Sequence, residues 1–361
     1  MIQPGRKRRT LIPNLILALV SIAITLGMAE LAARLLWQDP PPPRAAAQPV
    51  EWEGLPELPG PVELSYPNAR GIHIGAYYQG NSDGFRGREY GREKPPGVFR
   101  IVLLGDSFAM GAGVLAEDTY AARLERALNE RRKDRRYEVL NLGISGLDAN
   151  AVVERMKLIG LLYNPDMIVY GFTLNDIEGK YYKPFVEKEQ LGYIEAVQNA
   201  GRSRLYLARI LGPRWASLRD LIDPPRDSYI SELRFNYFEN PEAWDDLTQH
   251  LDELAAIGKK LDVCAALFIH TEIFYLHWFH PFQPLYQAVA QAALRRGFYV
   301  KQSFPAFEGR SAAALWLNHY DSHPNEEGHA ILAGSLLGGL DALPDKCWMS
   351  RSSMGNIGKE G

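Results

Sequence analysis

Four short loops in this chain carry residue types that together suit nucleophilic acyl transfer. The first is Leu104-Gly105-Asp106-Ser107-Phe108, which follows the apolar run Phe99 to Leu104. A serine just past a strand exposes its hydroxyl, and its own N–H faces any anion beside it. Gly105 permits the tight turn. Taken alone, the tripeptide reads first as an ordinary helix N-cap. The second loop, Asn141 to Gly146, brings Gly143 and Gly146, whose backbone N–H groups can approach a ligand, or which simply make a strand-to-helix turn. The third, Gly171 to Asp176, holds Asn175, whose carboxamide suits a developing oxyanion or a helix cap. The fourth is Tyr320-Asp321-Ser322-His323-Pro324-Asn325, then Gly328-His329, with a carboxylate two residues before a histidine. Each loop alone is weak. Their common place, after predicted strands and in this order, lets one site hold Ser, Gly, Asn and His.

The elements that must position them follow from periodicity. Phe99 to Leu104, Tyr137 to Leu142, Met167 to Phe172, Val263 to Ile269 and Phe298 to Lys301 read as short buried strands. Between them lie helical patterns: Tyr120, Leu124 and Leu128 at spacings of four, a stretch from Ala149 to Tyr163, another from Pro241 to Lys260, and one from Pro284 to Arg296. A last helix follows Pro324. Alternating strand and helix predicts a mainly parallel sheet with helices on both faces. Ligands of such a sheet bind beyond the carboxyl ends of its strands, where all four loops fall. Residues 178–240 read as an irregular insertion or lid, rich in Tyr, Arg and Pro.

In the ordered set Gly105-Asp106-Ser107, Gly146, Asn175-Asp176 and Asp321 with His323-Pro324-Asn325, the sequence resembles the SGNH hydrolases, or GDSL esterase/lipase family, over about residues 98–340. The resemblance implies a flavodoxin-like three-layer α/β/α sandwich and metal-free, cofactor-free ester hydrolysis or acyl transfer. It implies Ser107 as nucleophile, His323 as general base and Asp321 as the carboxylate that orients it. It also implies an oxyanion hole of the Ser107 N–H, the Gly146 N–H and the Asn175 side chain. One departure stands out. The family places two residues between Asp and His, and here only Ser322 intervenes. Were Asp321 to point elsewhere, a backbone carbonyl or another acid would orient the base. Hydrolysis, transfer of the acyl group to a polysaccharide hydroxyl, and carbohydrate binding without catalysis are all compatible with this resemblance.

The N-terminus is organised differently. Arg6 to Arg9 form a basic cluster (residues 1–10), and the apolar stretch 11–37 follows, long enough to cross a bilayer when extended through Leu35, Leu36 and Trp37. Glu30 and Arg34, four apart, are expected to pair on one helical face. A cleaved signal peptide is the alternative reading. The basic cluster predicts a cytoplasmic N-terminus and an extracytoplasmic domain, periplasmic if the source is a Gram-negative bacterium. Residues 38–97, proline-rich at first, read as a spacer and lead-in to the domain at 98–343, and residues 344–361 as a frayed tail. Within the lead-in, Asn81 to Gly87 is expected to be structural.

The 361-residue chain carries 40 Lys and Arg against 43 Asp and Glu, a net charge of −3, which argues against nucleic-acid binding by bulk charge. Its two cysteines are too few for a disulfide framework, and Cys264 in a core strand is expected as a free buried thiol. His277 and His280 lack a third metal ligand at a defined spacing and read as part of an aromatic loop. Tyr181, Tyr182, Tyr229 and Tyr237 are candidates for stacking on sugars.

Overall fold

The computed structural model describes residues 8–36, 54–181, 203–226, 228–318 and 321–350. Arg6, Lys7, Trp37, the proline-rich 38–53, Tyr182, Tyr320 and the final residues 351–361 lie outside the described residues.

A helix over Arg8–Leu36 opens the chain; its segment Ile12–Leu36 is long and apolar enough to cross a membrane, and it is exposed over most of its length, with Ala33 buried near its end. At about 1.5 Å per residue those 25 residues reach roughly 37 Å. The expected pair forms, with Arg34 Nε donating to Glu30 Oε1 at 2.9 Å.

The lead-in is packed from residue 54 onward. Strands β1 (Arg70–His73) and β2 (Ala76–Gln79) form an antiparallel hairpin, and the Leu58 N–H donates to the Ile72 carbonyl across its edge. Leu58, Leu64 and Tyr78 make a small core with Met110, Ala112 and Ile144, so this segment sits on the loops that follow the first two strands of the main sheet.

That sheet has five parallel strands: β3 (Val98–Gly105), β4 (Arg136–Asn141), β5 (Met167–Phe172), β6 (Cys264–Ile269) and β7 (Tyr299–Gln302). Their spatial order is β4-β3-β5-β6-β7. The strands are continuous apolar runs because both faces are covered by helices. Tyr120–Arg131 and Glu326–Asp341 pack together on one side, and Ala149–Leu158 and Pro241–Leu261 on the other. The predicted stripe Tyr120, Leu124 and Leu128 is fully buried, and each leucine contributes about 1.5–3 kcal/mol. The fold is thus the expected flavodoxin-like sandwich. Its strand order reverses between β3 and β5, the kind of switch point beside which ligands of such sheets bind. A last hairpin, β8 (Trp316–Asn318) with β9 (Asp321–Pro324), stands outside the sheet.

Three expectations change. The insertion is not irregular where described: it holds helices Tyr206–Ile222 and Tyr229–Phe238. Pro213 inside the first and its unusual polarity hid it from a periodicity argument. Cys264 is not a free thiol but is bonded to Cys347, their Cα atoms 5.3 Å apart across 83 residues of sequence. The start of the tail is ordered with it. Asp345–Trp348 make a 3₁₀ turn, Cys347 and Trp348 are buried, and Arg132 lies 3.8 Å above the Trp348 ring.

Candidate active site

The site is assembled from the carboxyl ends of β3, β4 and β5 together with β9. Gly105 and Gly171 lie opposite each other in the β3–β5 register. Gly105 has φ +146°, and a Cβ there would come within 2.4 Å of the Gly171 carbonyl, so only glycine lets the chain turn at this point. Ser107 then begins the single turn Ser107–Met110, capped by Asp106, whose Oδ1 accepts from the Phe108 N–H at 2.9 Å.

His323 reaches this serine from β9. Its Nε2 lies 2.9 Å from Ser107 Oγ, and its Nδ1 lies 2.6 Å from Asp321 Oδ1. Because Nδ1–H must donate to the carboxylate, the neutral ring offers Nε2 as an acceptor for the Ser107 O–H. The one-residue spacing of Asp321 and His323 has a simple cause. In a strand, residues two apart point to the same side, so Asp and His meet without the longer turn. Asp321 Oδ1 also accepts from the His323 backbone N–H at 2.9 Å, which ties the carboxylate to the residue it faces.

Burial alone would lower the His323 pKa. The hydrogen bond and charge of Asp321, with the charges of Asp106 and Glu272, outweigh it and hold His323 above the ordinary histidine value. Burial likewise pushes Asp321 up, but the hydrogen bond and charge of His323 prevail and its carboxyl sits below the usual range.

The second and third loops are bound to the first. Asn141 Nδ2 donates to the Ala109 carbonyl at 2.8 Å, and the Ile144 N–H to the Gly105 carbonyl at 3.2 Å. Two residues on, Gly146 adopts φ +82°, with no Cβ obstacle closer than Pro61 Cδ at 3.8 Å; the backbone conformation, not space, calls for glycine. Thr173 Oγ1 lies 2.7 Å from Asp106 Oδ2 and 3.1 Å from Asp176 Oδ1, which fixes the turn holding Asn175. Asp106 and Asp176 are both buried, and burial pushes both pKa values up, Asp176 further through the Asp106 charge. Among the described residues, neither the Gly146 N–H nor the Asn175 carboxamide is engaged in a hydrogen bond. The structure therefore joins Ser107, His323 and Asp321 directly, and carries Gly146 and Asn175 on neighbouring loops.

Several residues at this site gave no warning in the sequence. His73, from the lead-in hairpin, is buried and lies 2.9 Å from Ser145 Oγ and 2.7 Å from the Leu58 carbonyl. Burial, with the positive charge of Arg86 behind it, lowers its pKa. Arg86, in the segment expected to be structural, donates to the carbonyls of Met110, Gly111 and Val114 and so braces the turn after Ser107. Glu272 follows β6, accepts from Tyr229 Oη at 3.2 Å, and is pushed up to about 7 by burial. Buried Glu178 is pushed up to about 8 by burial and by the charges of Glu272 and Glu232. The rule that loops after parallel strands carry ligands would have pointed to Glu272.

Other candidates take different places. Tyr237 is buried and donates to the Leu174 carbonyl at 3.2 Å, Tyr229 is committed to Glu272, and Tyr181 donates to Asp246 at 3.0 Å. None of the three is an open stacking platform. His280 is buried against Phe304, its ring 4.5 Å away, and lies 3.1 Å from Tyr286 Oη. Among the described residues no group of three or more His, Cys, Asp or Glu could hold a metal ion.

A profile of the GDSL-like Lipase/Acylhydrolase family matches residues 103–331. No curated protein matches the sequence. Among solved structures, the chain is similar to TesA (13% identity, TM-score 0.41, covering 67% of this chain and 97% of that one). It is similar to a mutant of Axe2, an acetylxylan esterase from Geobacillus stearothermophilus (17% identity, TM-score 0.43, 68% and 95% covered). A third is the psychrotrophic esterase EstA from Pseudoalteromonas sp. (12% identity, TM-score 0.41, 67% and 96% covered). With the family profile spanning more than half its length, the chain belongs to the GDSL-like lipase/acylhydrolase family and is a hydrolase of ester bonds.

Proposed function

We propose that this protein is a membrane-anchored, extracytoplasmic serine esterase that cleaves a short-acyl ester, such as an O-acetyl group, through an acyl-serine intermediate. The observation that carries the reading is the chain of contacts from Ser107 Oγ to His323 Nε2 at 2.9 Å and from His323 Nδ1 to Asp321 at 2.6 Å. His323 takes the Ser107 proton as Oγ attacks the ester carbonyl. The negative oxygen of the tetrahedral intermediate is met by the Ser107 N–H, the Gly146 N–H and Asn175 Nδ2. His323 then gives the proton to the departing alcohol. In the second half it deprotonates water, which releases the acid and frees Ser107. Asp321 stabilises the imidazolium throughout and stays ionised.

The Cys264–Cys347 bond supports an oxidising compartment, and the basic cluster before the apolar helix supports a cytoplasmic N-terminus.

The test is hydrolysis of a short-chain aryl acetate by the full-length protein, with Ser107→Ala beside it, and mass spectrometry after a phosphonate inhibitor. Adduct on the Ser107 peptide and loss of turnover in the variant are expected. Equal turnover in both proteins would remove Ser107 from the mechanism. Release of acetate to water, against its recovery on an added oligosaccharide, separates hydrolysis from transfer.

A further inference from the structure

Helix Tyr206–Ile222 carries apolar side chains on two faces: Leu207, Ile210, Leu218 and Leu221 are half-buried, and a second set faces away from the protein. The side chains it buries fully are polar: Ser217 donates to the Phe279 carbonyl, and Asp220 accepts from Tyr275 Oη and pairs with Arg219. Three large apolar side chains of the other face point outward. Leu211 is 55% exposed, Trp215 69% and Ile222 70%. With Ala208, these positions step by three, four and seven, which places them on one stripe of the helix. Exposed Leu205 prolongs the stripe at its start, and exposed Trp278 lies on the loop that Ser217 binds. Helices of water-soluble domains show a polar outer face, and an apolar stripe of this kind marks a surface that is covered in the working protein.

The position of the stripe indicates what covers it. Leu205 supplies no side-chain cap to this helix. The cap comes from the apolar N-terminal helix: Glu30 accepts from the Tyr206 N–H at 3.0 Å and from the Leu207 N–H at 2.9 Å. Arg34 donates to the Arg204 carbonyl at 3.2 Å, and its guanidinium lies 5.5 Å from the Tyr206 ring centre. Glu30 and Arg34 stand in the last turns of Ile12–Leu36, where a spanning helix leaves the hydrocarbon for the headgroups. Arg204, Arg209, Arg214 and Arg219 accompany the stripe, against only Asp220 and Asp223. Exposed tryptophan, exposed leucine and isoleucine, and an arginine excess are the makeup of a helix lying in a bilayer interface rich in anionic lipid.

We propose that helix Tyr206–Ile222 lies on the membrane surface, with Leu211, Trp215 and Ile222 seated in the headgroup region of an anionic bilayer and Glu30 locking the helix to the anchor. The inference rests on the membrane-anchor reading above. It makes the insertion a second membrane contact. That contact fixes how the catalytic domain is oriented over the bilayer, since the next helix, Tyr229–Phe238, reaches Glu272 and Leu174 beside the candidate site.

The test uses full-length protein in vesicles of phosphatidylcholine and phosphatidylglycerol, with a nitroxide label on one introduced cysteine at a time, the two native cysteines being bonded to each other. Sites are Leu211→Cys and Trp215→Cys on the stripe, Leu19→Cys within the apolar helix, and the exposed Glu130→Cys as an aqueous control. The readout is the ratio of collision with oxygen, which enters lipid, to collision with a water-soluble nickel chelate. The expected result is a ratio several-fold higher at residues 211 and 215 than at residue 130, approaching that at residue 19. A lipid signal at 19 with an aqueous signal at 211 and 215 overturns this inference and leaves the anchor standing. An aqueous signal at 19 overturns the anchor and the inference together. Labels at 211 and 215 shielded from both reagents overturn the inference in favour of a protein partner, a second copy included. All stripe sites are exposed, so the substitutions remove no buried contact.

Discussion

His73 Nε2 lies 2.9 Å from Ser145 Oγ, and Ser145 directly precedes Gly146. His73 Nδ1 lies 2.7 Å from the Leu58 carbonyl and must donate to it, so Nε2 is the acceptor and the Ser145 hydroxyl the donor. A lowered His73 pKa keeps the ring neutral and this direction intact near neutral pH. A hairpin outside the main sheet thereby holds the loop that carries Gly146. We expect His73→Ala and Ser145→Ala each to lower kcat, by up to about 10²-fold for a displacement near 1 Å, with a smaller change in KM. The double variant should lose little more than either single one. Additive losses in a double-mutant cycle would mean the two act separately.

Replacement of Asp321 tests the short spacing of the Asp and His pair. Asp321→Asn should keep the fold and cut kcat by about 10⁴-fold, because the ring loses its preferred tautomer and its countercharge. Asn175→Ala should cut kcat by about 10²–10³-fold. Steady-state kinetics on an aryl acetate read both. A near-normal Asp321→Asn enzyme would shift the orienting role to another group.

The pH profile follows from the raised His323 pKa. In the proposed mechanism the neutral ring is the base, so kcat/KM should rise with pH through a limb above the ordinary histidine value. The same limb should move to lower pH in Asp321→Asn, which loses the hydrogen bond and charge that raise it. Stability carries the matching signs. Protonated His323 favours the fold at pH below its unfolded pKa, and that contribution fades as pH rises through the folded value. Ionised Asp321 favours the fold above its unfolded pKa and is lost as pH falls through its lowered folded value. Chemical denaturation of wild type and Asp321→Asn across pH reads these signs.

The Cys264–Cys347 bond closes a loop of 83 residues in sequence separation, worth about 4.5 kcal/mol in the chain-entropy view. Cys347→Ser should lower the thermal midpoint while leaving the kcat of the folded enzyme unchanged, since the bond lies at the amino end of β6, away from Ser107. Calorimetry with and without reductant separates this from a local effect on Trp348 packing.

Much of this was legible in the residues. The five strands and most helices of the main domain announce themselves because buried parallel strands are unbroken apolar runs and the helices between them repeat at 3.6 residues. The serine, glycine, asparagine and histidine loops are readable because they stand at strand ends in a fixed order. What escaped has physical causes as well. Helix Tyr206–Ile222 carries apolar residues on two faces and Pro213 within, so no single apolar stripe marks it. The cysteine pair lies at the amino end of β6, and only the three-dimensional path of the tail brings Cys347 to Cys264. His73 and Arg86 act through contacts with loops 24 to 72 residues away, and no local pattern encodes such contacts.

Arg86 spans the carbonyls of Met110, Gly111 and Val114 from a segment that precedes the first strand of the sheet. A protease acting on the chain between the apolar helix and the lead-in would therefore have two quite different effects. On the proposed anchoring, a cut ahead of residue 54 would separate the domain from the apolar helix with the turn after Ser107 still braced. A cut between Arg86 and Val98 would detach that brace and the His73 hairpin, removing two supports from the site while leaving every residue of the Ser, His and Asp set in the released piece. Separation from the apolar helix and loss of the site's supports thus lie only a few tens of residues apart in the chain.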